Sequence, residues 1–187
     1  MNLCDVLIMS ANLLNLNEER DLLSSVNQDN ASQILEENQK IKKLYHLSQT
    51  ALREICFSYL PLVVEETVEF ETCSYASHNL DEYVKLVKVK QDGRVVHSKY
   101  KNGEIIVDKP GTYTVMYVQK PKVYGLTDQL DIFENLSPDV LVLGICAYYA
   151  ISLAMYDEFE YFHEEYLKRA ESIKKLAISQ MPARRWV

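Results

Sequence analysis

The sequence predicts an α+β fold, in which an antiparallel β-meander is inserted between the second and third helices of a four-helix core. Apolar residues recur at helical spacing towards both ends of the chain, and they alternate with polar residues between about 63 and 118. Glycine-containing turn pairs separate the alternating runs. These patterns divide the chain into N-terminal helices of the core (1–62), a β lobe (63–125), C-terminal helices of the core (126–180) and an extended tail (181–187).

The N-terminal region carries the signals of two helices. Asn2, followed three residues later by Asp5, matches a capping box at the start of a short first helix. The stretch 15–30 is rich in asparagine, which predicts a partly helical connection. A longer second helix should begin near the end of that stretch. We expect it to end at Leu60, because Pro61 lacks the backbone N–H that a continuing helix needs.

The middle of the chain has the alternation expected of half-buried strands. Val68, Phe70 and Thr72 alternate with glutamates, and later runs are rich in β-branched and aromatic residues. Three pairs permit the positive φ of tight turns, namely Asp92-Gly93, Asn102-Gly103 and Pro110-Gly111. Together they predict the meander.

Two further helices are predicted after the strands. The segment 137–139 (Ser-Pro-Asp) is a helix-start signal, and an uncharged run up to Tyr156 follows it. Small residues in this run, including Gly144, would let neighbouring helices approach closely. The last helix should begin at a bend after Tyr156 and end before Pro182.

Composition limits the classes of function. The formal net charge of the 187-residue chain is -7, which disfavours a nucleic-acid binder that works by neutralising phosphates. From Lys168 to the end, however, six basic residues face a single acidic one. A basic end on an acidic body suggests ordered association between copies.

Synthesis in the cytosol is expected. The cysteines form no CxxC pair and mostly lie in apolar periodic segments, which is typical of buried reduced thiols; they are Cys4, Cys56, Cys73 and Cys146. Residues 1–10 lack a basic start and a small-residue cleavage site, so we expect no secretory signal. The uncharged run 140–156 is shorter than the roughly 20 apolar residues of a membrane helix. No membrane partner is expected.

Residues suited to catalysis do not cluster in the sequence, and we expect the protein not to be an enzyme. There is no glycine-rich phosphate loop and no hydrolase or zinc-protease motif. The histidines are not at ligand spacing with cysteines or acids; they are His46, His78, His97 and His163. We therefore predict no catalytic residue, no metal site and no cofactor. The acidic runs are interpreted as solvated faces.

The C-terminal tail is the predicted binding site. It holds the only tryptophan of the chain, Trp186, directly after two arginines. Tryptophan and arginine dominate interface hot spots, and a short tail beyond a proline has no core of its own to join. We predict that the tail docks on a partner through Pro182, Arg184, Arg185, Trp186 and Val187.

Several fragments, taken in order, resemble the head-tail connector proteins of tailed phages and prophages, mostly of Gram-positive hosts. They are Ala51-x-x-Glu54-Ile55, Tyr59-Leu60-Pro61-Leu62, Gly111-Thr112-Tyr113-Thr114-Val115-x-Tyr117 with Pro121, Gly144-x-x-Ala147-Tyr148-Tyr149, Tyr156 with Phe162 and Tyr166, and Pro182-x-Arg184-Arg185-Trp186-Val187. The family often has an acidic residue where Tyr148 stands and a tryptophan where Phe162 stands.

The resemblance implies a structural subunit of the virion neck, assembled in the cytoplasm of the bacterial host. It implies a ring of twelve copies under the portal protein, which joins the capsid to the tail and forms part of the DNA channel. The C-terminal extension would reach the portal, a stopper or tail protein would bind below, and viral DNA would pass through without specific recognition.

Two other classes of function stay open. One is another neck or tail-completion protein, either a stopper or a tail terminator. The other is a DNA-packaging protein of the small-terminase type. The second is less favoured, because the N-terminal helices are acidic or neutral where a basic helix-turn-helix would be expected.

Overall fold

Four α-helices precede the first strand, where the sequence pattern predicts two. In the computed structural model, which describes residues 1–130 and 137–179 with side chains up to Ile173, they are α1 (Leu3–Leu13), α2 (Asn17–Ser24), α3 (Ala31–Glu37) and α4 (Gln39–Glu54). The predicted capping box of α1 is present, since Asn2 and Asp5 exchange backbone-to-side-chain hydrogen bonds of 2.8 and 2.9 Å.

Two asparagines account for the additional helix boundaries, and α2 lies in the stretch 15–30 where a partly helical connection is predicted. The amide oxygen of Asn38 accepts hydrogen bonds from the backbone N–H groups of Lys40 and Ile41, both at 3.0 Å, and so caps α4. This cap divides the predicted second helix into α3 and α4. Asn15 has a φ of 55°, which ends α1 just before α2 begins. An asparagine side chain can take the place of a backbone hydrogen bond and so interrupt a helix, and the spacing of apolar residues gives no sign of this.

A single π-helical turn, Ile55–Tyr59, follows α4. The backbone N–H of Leu60 donates to the carbonyl oxygen of Ile55 at 2.8 Å, five residues back. Pro61 then ends the helical conformation, as predicted. Such wider turns place one extra residue in the helix and shift the side chains that follow.

Seven strands follow, in two antiparallel sheets. They are β1 (Leu62–Phe70), β2 (Ser74–Ala76), β3 (Tyr83–Gln91), β4 (Arg94–Val96), β5 (Ser98–Lys101), β6 (Glu104–Val107) and β7 (Gly111–Gln119). The first sheet has the order β1-β7-β3-β4, and the second has the order β2-β6-β5. β1 pairs with β7, the last strand, over nine residues. The predicted single meander is therefore wrong.

The chain changes sheets at His97. β4 pairs with β3 in one sheet, and β5, directly after His97, pairs with β6 in the other. Asp92-Gly93 and Asn102-Gly103 form the predicted positive-φ turns. Pro110-Gly111 does not join paired strands, because β6 and β7 belong to different sheets. Both sheets contribute to one core, which includes Val68, Phe70, Val89, Ile105, Tyr113, Val115 and Tyr117.

Two helices complete the described chain, α5 (Asp139–Ser152) and α6 (Tyr156–Ser179). The chain forms two compact units, described separately below. The helical unit comprises Met1–Leu60 and the described residues from Lys122 onward, and the β unit is Pro61–Pro121. The β unit is thus inserted after the fourth of six described α-helices. The predicted four-helix core, with its insertion after the second helix, is wrong.

α5 lies at the centre of the helical unit. It contacts α1, α4 and α6, and most of its side chains are buried. The prediction of close helix approach at Gly144 is confirmed, because a Cβ atom there would lie 3.3 Å from the Cβ of Ala51 on α4.

The end of α5 supplies a stability prediction. Ala154 has a φ of 57°, and the backbone N–H groups of Ala154 and Met155 donate to Ile151 and Ala150 in the pattern of a Schellman cap. Glycine adopts this conformation without the steric cost that alanine incurs. Ala154→Gly is therefore expected to raise the free energy of unfolding by about 0.5–1 kcal/mol, measured by urea denaturation.

Leu153→Gly is the matched control for this substitution. Leu153 has a φ of −111°, so a glycine there relieves no strain and is expected to destabilise the protein. Stabilisation by both substitutions, or by neither, would contradict the assignment of strain to Ala154.

Candidate functional site

The helical unit contains a partly buried polar cluster where α4, the π turn, α5 and α6 meet. We call it the tyrosine cluster, and it consists of Glu54, Tyr59, Tyr148 and Tyr166. The hydroxyl of Tyr148 donates a hydrogen bond to the Glu54 carboxylate. The rings of Tyr59 and Tyr166 meet edge to face, with centroids 6.2 Å apart. The Tyr166 hydroxyl is buried and makes no well-formed hydrogen bond within the described residues.

Helix positions explain why these side chains converge. Glu54 is the last residue of α4, and the π turn directly after it carries Tyr59. Gly144 makes room for the Tyr166 ring, because a Cβ atom at Gly144 would lie 3.2 Å from the ring carbon Cε2. A larger residue at position 144 would therefore push α6 away from α5 or displace the ring.

Burial sets the protonation of the tyrosine cluster. Desolvation raises the pKa of Tyr148 and of Tyr166 well above the usual value, and the neighbouring Glu54 carboxylate adds to both increases. Both phenols therefore stay protonated at neutral pH. A phenol with a raised pKa is a poor general base at neutral pH.

The tyrosine cluster contains residues of the fragments that carry the family resemblance. Glu54, Tyr59, Tyr148 and Tyr166 come from stretches far apart in the chain, and in the structure they lie in one packing site. Sequence reasoning noted the fragments but did not predict these contacts. The only signal that pointed towards them was the run of small residues around Gly144.

Buried thiols are a second feature of the helical unit. Cys4, Cys56 and Cys146 are buried and reduced, as the sequence pattern predicts. Burial raises the pKa of the Cys4 and Cys56 thiols to about 11 and that of Cys146 to about 12. Such thiols are unreactive at neutral pH. Cys73 in the β unit differs, because it is exposed.

Metal-binding groups are scattered in the described part of the chain. Among the described side chains, those of residues 1–130 and 137–173, no three His, Cys, Asp or Glu are placed to share a metal ion. His163 stacks on Phe159, with ring centroids 5.0 Å apart, and His46 meets the edge of Tyr45. The absence of a metal, a cofactor and catalytic activity stays a prediction.

The acidic run of the β unit lies on β1, an edge strand of the four-stranded sheet. Glu65 and Glu69 are exposed, and Glu65 forms an ion pair with Lys90 of β3 at 3.0 Å. Glu66 lies less exposed and accepts a hydrogen bond from the hydroxyl of Tyr117 at 3.1 Å. The run is thus only partly the solvated face that the sequence suggested.

The predicted docking residues lie outside the described residues. These are Pro182, Arg184, Arg185, Trp186 and Val187, whereas the described chain extends through α6 to Ser179. Their role stays a prediction.

None of the described helices has the length and apolar character needed to cross a membrane. Comparison with models of known protein families finds no match, and neither does comparison with curated proteins.

Proposed function

We propose that this protein is a structural subunit of a tailed-phage virion, a head-tail connector that forms a ring under the portal. The observation that carries the proposal is the convergence of connector-like residues in the tyrosine cluster. Residues quoted for the resemblance from distant stretches meet there: the rings of Tyr59 and Tyr166 pack edge to face, and the Glu54 carboxylate lies near the Tyr166 hydroxyl. Tyr148, where the family often has an acidic residue, also contacts Glu54.

The chemistry of the described groups supports a structural role. The tyrosine cluster offers protonated phenols, and three of the four cysteines are buried thiols with raised pKa. At neutral pH these phenols and thiols contribute to packing and supply no phenolate or thiolate nucleophile. The proposed partners are other copies of the chain, twelve in the full ring, the portal protein, and a stopper or tail protein below.

The net charge of the chain favours a role in lining a DNA channel over sequence-specific DNA binding. The chain has a net charge of -7, so phosphates passing a surface of this kind would be repelled rather than held. The first three helices carry six acidic residues and one basic residue, which disfavours a small-terminase-type DNA-binding role. A stopper or tail terminator is the nearest alternative, since those proteins share the need for ring association. The proposed location is the virion neck, after assembly in the host cytoplasm.

A reconstruction of the virion neck tests the proposal directly. We expect a ring of density under the portal that fits the helical unit and the β unit of this chain. Density in a lower layer would favour the stopper or tail-terminator alternative. A virion that lacks the protein, together with salt-dependent binding of the purified chain to duplex DNA, would favour the packaging alternative.

A further inference from the structure

Charge is separated across the four-stranded sheet of the β unit. β1 carries Glu65, Glu66 and Glu69 and no basic residue. β7, which lies next to it, carries no charged residue, and the following strand, β3, carries three lysines and no acid. The segment Arg94–Lys101, which contains β4 and β5, has three basic residues and no acidic one. The sheet therefore runs from an acidic edge to a basic edge.

Both edges are accessible within the β unit. β1 and β4 are the outer strands of their sheet, and β5 is an outer strand of the second sheet. In the described part of the chain, Glu69, Arg94 and Lys99 take part in no ion pair. Exposed apolar side chains accompany the charges on each edge, with Val63 on β1 and with Val95 and Tyr100 on the basic segment.

The arrangement prevents one kind of edge pairing and permits another. Charged side chains on edge strands usually protect a sheet against pairing with other chains. Here two acidic edges repel each other, and so do two basic edges. An acidic edge that meets a basic edge is attracted, and the exposed valines and Tyr100 then supply apolar area to be buried.

We propose that copies of this chain associate through their β units, with the acidic edge strand β1 of one copy along the basic segment Arg94–Lys101 of the next. The two surfaces are different, so a growing assembly always has one free edge of each kind, one at either end. Such head-to-tail contacts continue until a ring closes. The inference names the contact surface of the ring and in this respect rests on the proposed function.

Charge reversal on each edge tests the contact. The variants are E69K/E71K, at the exposed Glu69 of β1 and the exposed Glu71 just after the strand, and R94E/K99E on the basic segment. They avoid the Glu65–Lys90 ion pair and the Glu66–Tyr117 hydrogen bond. Each variant alone is expected to weaken self-association of the full chain by about tenfold or more, measured by sedimentation velocity at low salt. An equimolar mixture of the two is expected to associate again, because every junction then joins opposite charges.

The control for the acidic-edge variant is E158K/E160K, which makes the same change in net charge as E69K/E71K on two exposed residues of α6 in the helical unit. It is expected to associate like the wild type, and circular dichroism should show all variants folded. The contact is ruled out if the edge variants associate like the wild type, if the mixture fails to recover, or if the wild type stays monomeric at millimolar concentration. A virion map without this ring in the neck would overturn the proposed function while leaving an observed charge-dependent contact standing.

Discussion

Replacement of Tyr166 by alanine is expected to lower the free energy of unfolding by about 3–5 kcal/mol. The Tyr166 side chain is 1% exposed, lies against Gly144, and meets the ring of Tyr59 edge to face. Its removal leaves a cavity between α5 and α6 that the surrounding backbone can close only in part. Urea denaturation followed by the helical circular dichroism signal measures the loss.

Tyr166→Phe is the matched variant, because it keeps the ring and removes only the hydroxyl. That hydroxyl is buried without a well-formed hydrogen bond in the described residues, so its removal should change the stability by less than about 1 kcal/mol. A loss as large as that of the alanine variant would mean that the Glu54 carboxylate and the Tyr166 hydroxyl are tightly bonded, and that polar pairing rather than packing holds the cluster.

Deletion of residues 182–187 is expected to abolish the joining of heads to tails while leaving a soluble, folded protein. The segment holds Arg184, Arg185 and Trp186. A large aromatic side chain gains stability in such a tail only on the surface of another chain, and each guanidinium can hold a carboxylate in two parallel hydrogen bonds. Loss of such an anchor costs about 2 kcal/mol or more. In the proposed ring, that cost would recur at every subunit.

The measurement is the proportion of free capsids and free tails in lysates of phage that carry the deletion. Trp186→Phe and Trp186→Ala form the control pair, since the first keeps an aromatic anchor and only the second should reproduce the defect. A normal yield of particles from the deletion would contradict the docking role, as would a virion map in which the tail is disordered. The helical unit would then be the main attachment surface.

Local chemistry was the part of the fold that the sequence predicted well. The capping box of Asn2, the stop at Pro61 and the two glycine turns after β3 and β5 depend only on neighbours in the chain. The predictions were wrong where the structure depends on contacts between residues far apart in the chain, such as the pairing of strands. Nothing in the run around His97 indicates that its two halves pair in different sheets, since only the shared core of the β unit selects that arrangement.

In the candidate site, too, the sequence indicated local features but not the contacts between distant residues. The sequence marked Glu54 and Tyr148 separately as parts of a resemblance, but their hydrogen bond joins residues 94 positions apart. Periodicity places each residue on a helix and does not say which helices meet. The small residue Gly144 indicated close packing without naming Tyr166 as the side chain that fills the space.

The pairing of β1 with β7 bears on how the chain folds. Leu62 lies opposite Gln119, so the two ends of the roughly 60-residue insertion are neighbours once these strands have paired. The entropy lost on closing a loop grows by about 0.6 kcal/mol for each doubling of its length. A β unit that forms first leaves about a third of the chain between α4 and α5 to be closed as a loop, and so lowers the closure cost of bringing these helices together by about 1 kcal/mol relative to an unstructured insertion. Folding of the insertion before the helices assemble would therefore reduce one cost of that assembly, and a short flexible linker in place of the insertion should leave the helices able to find one another.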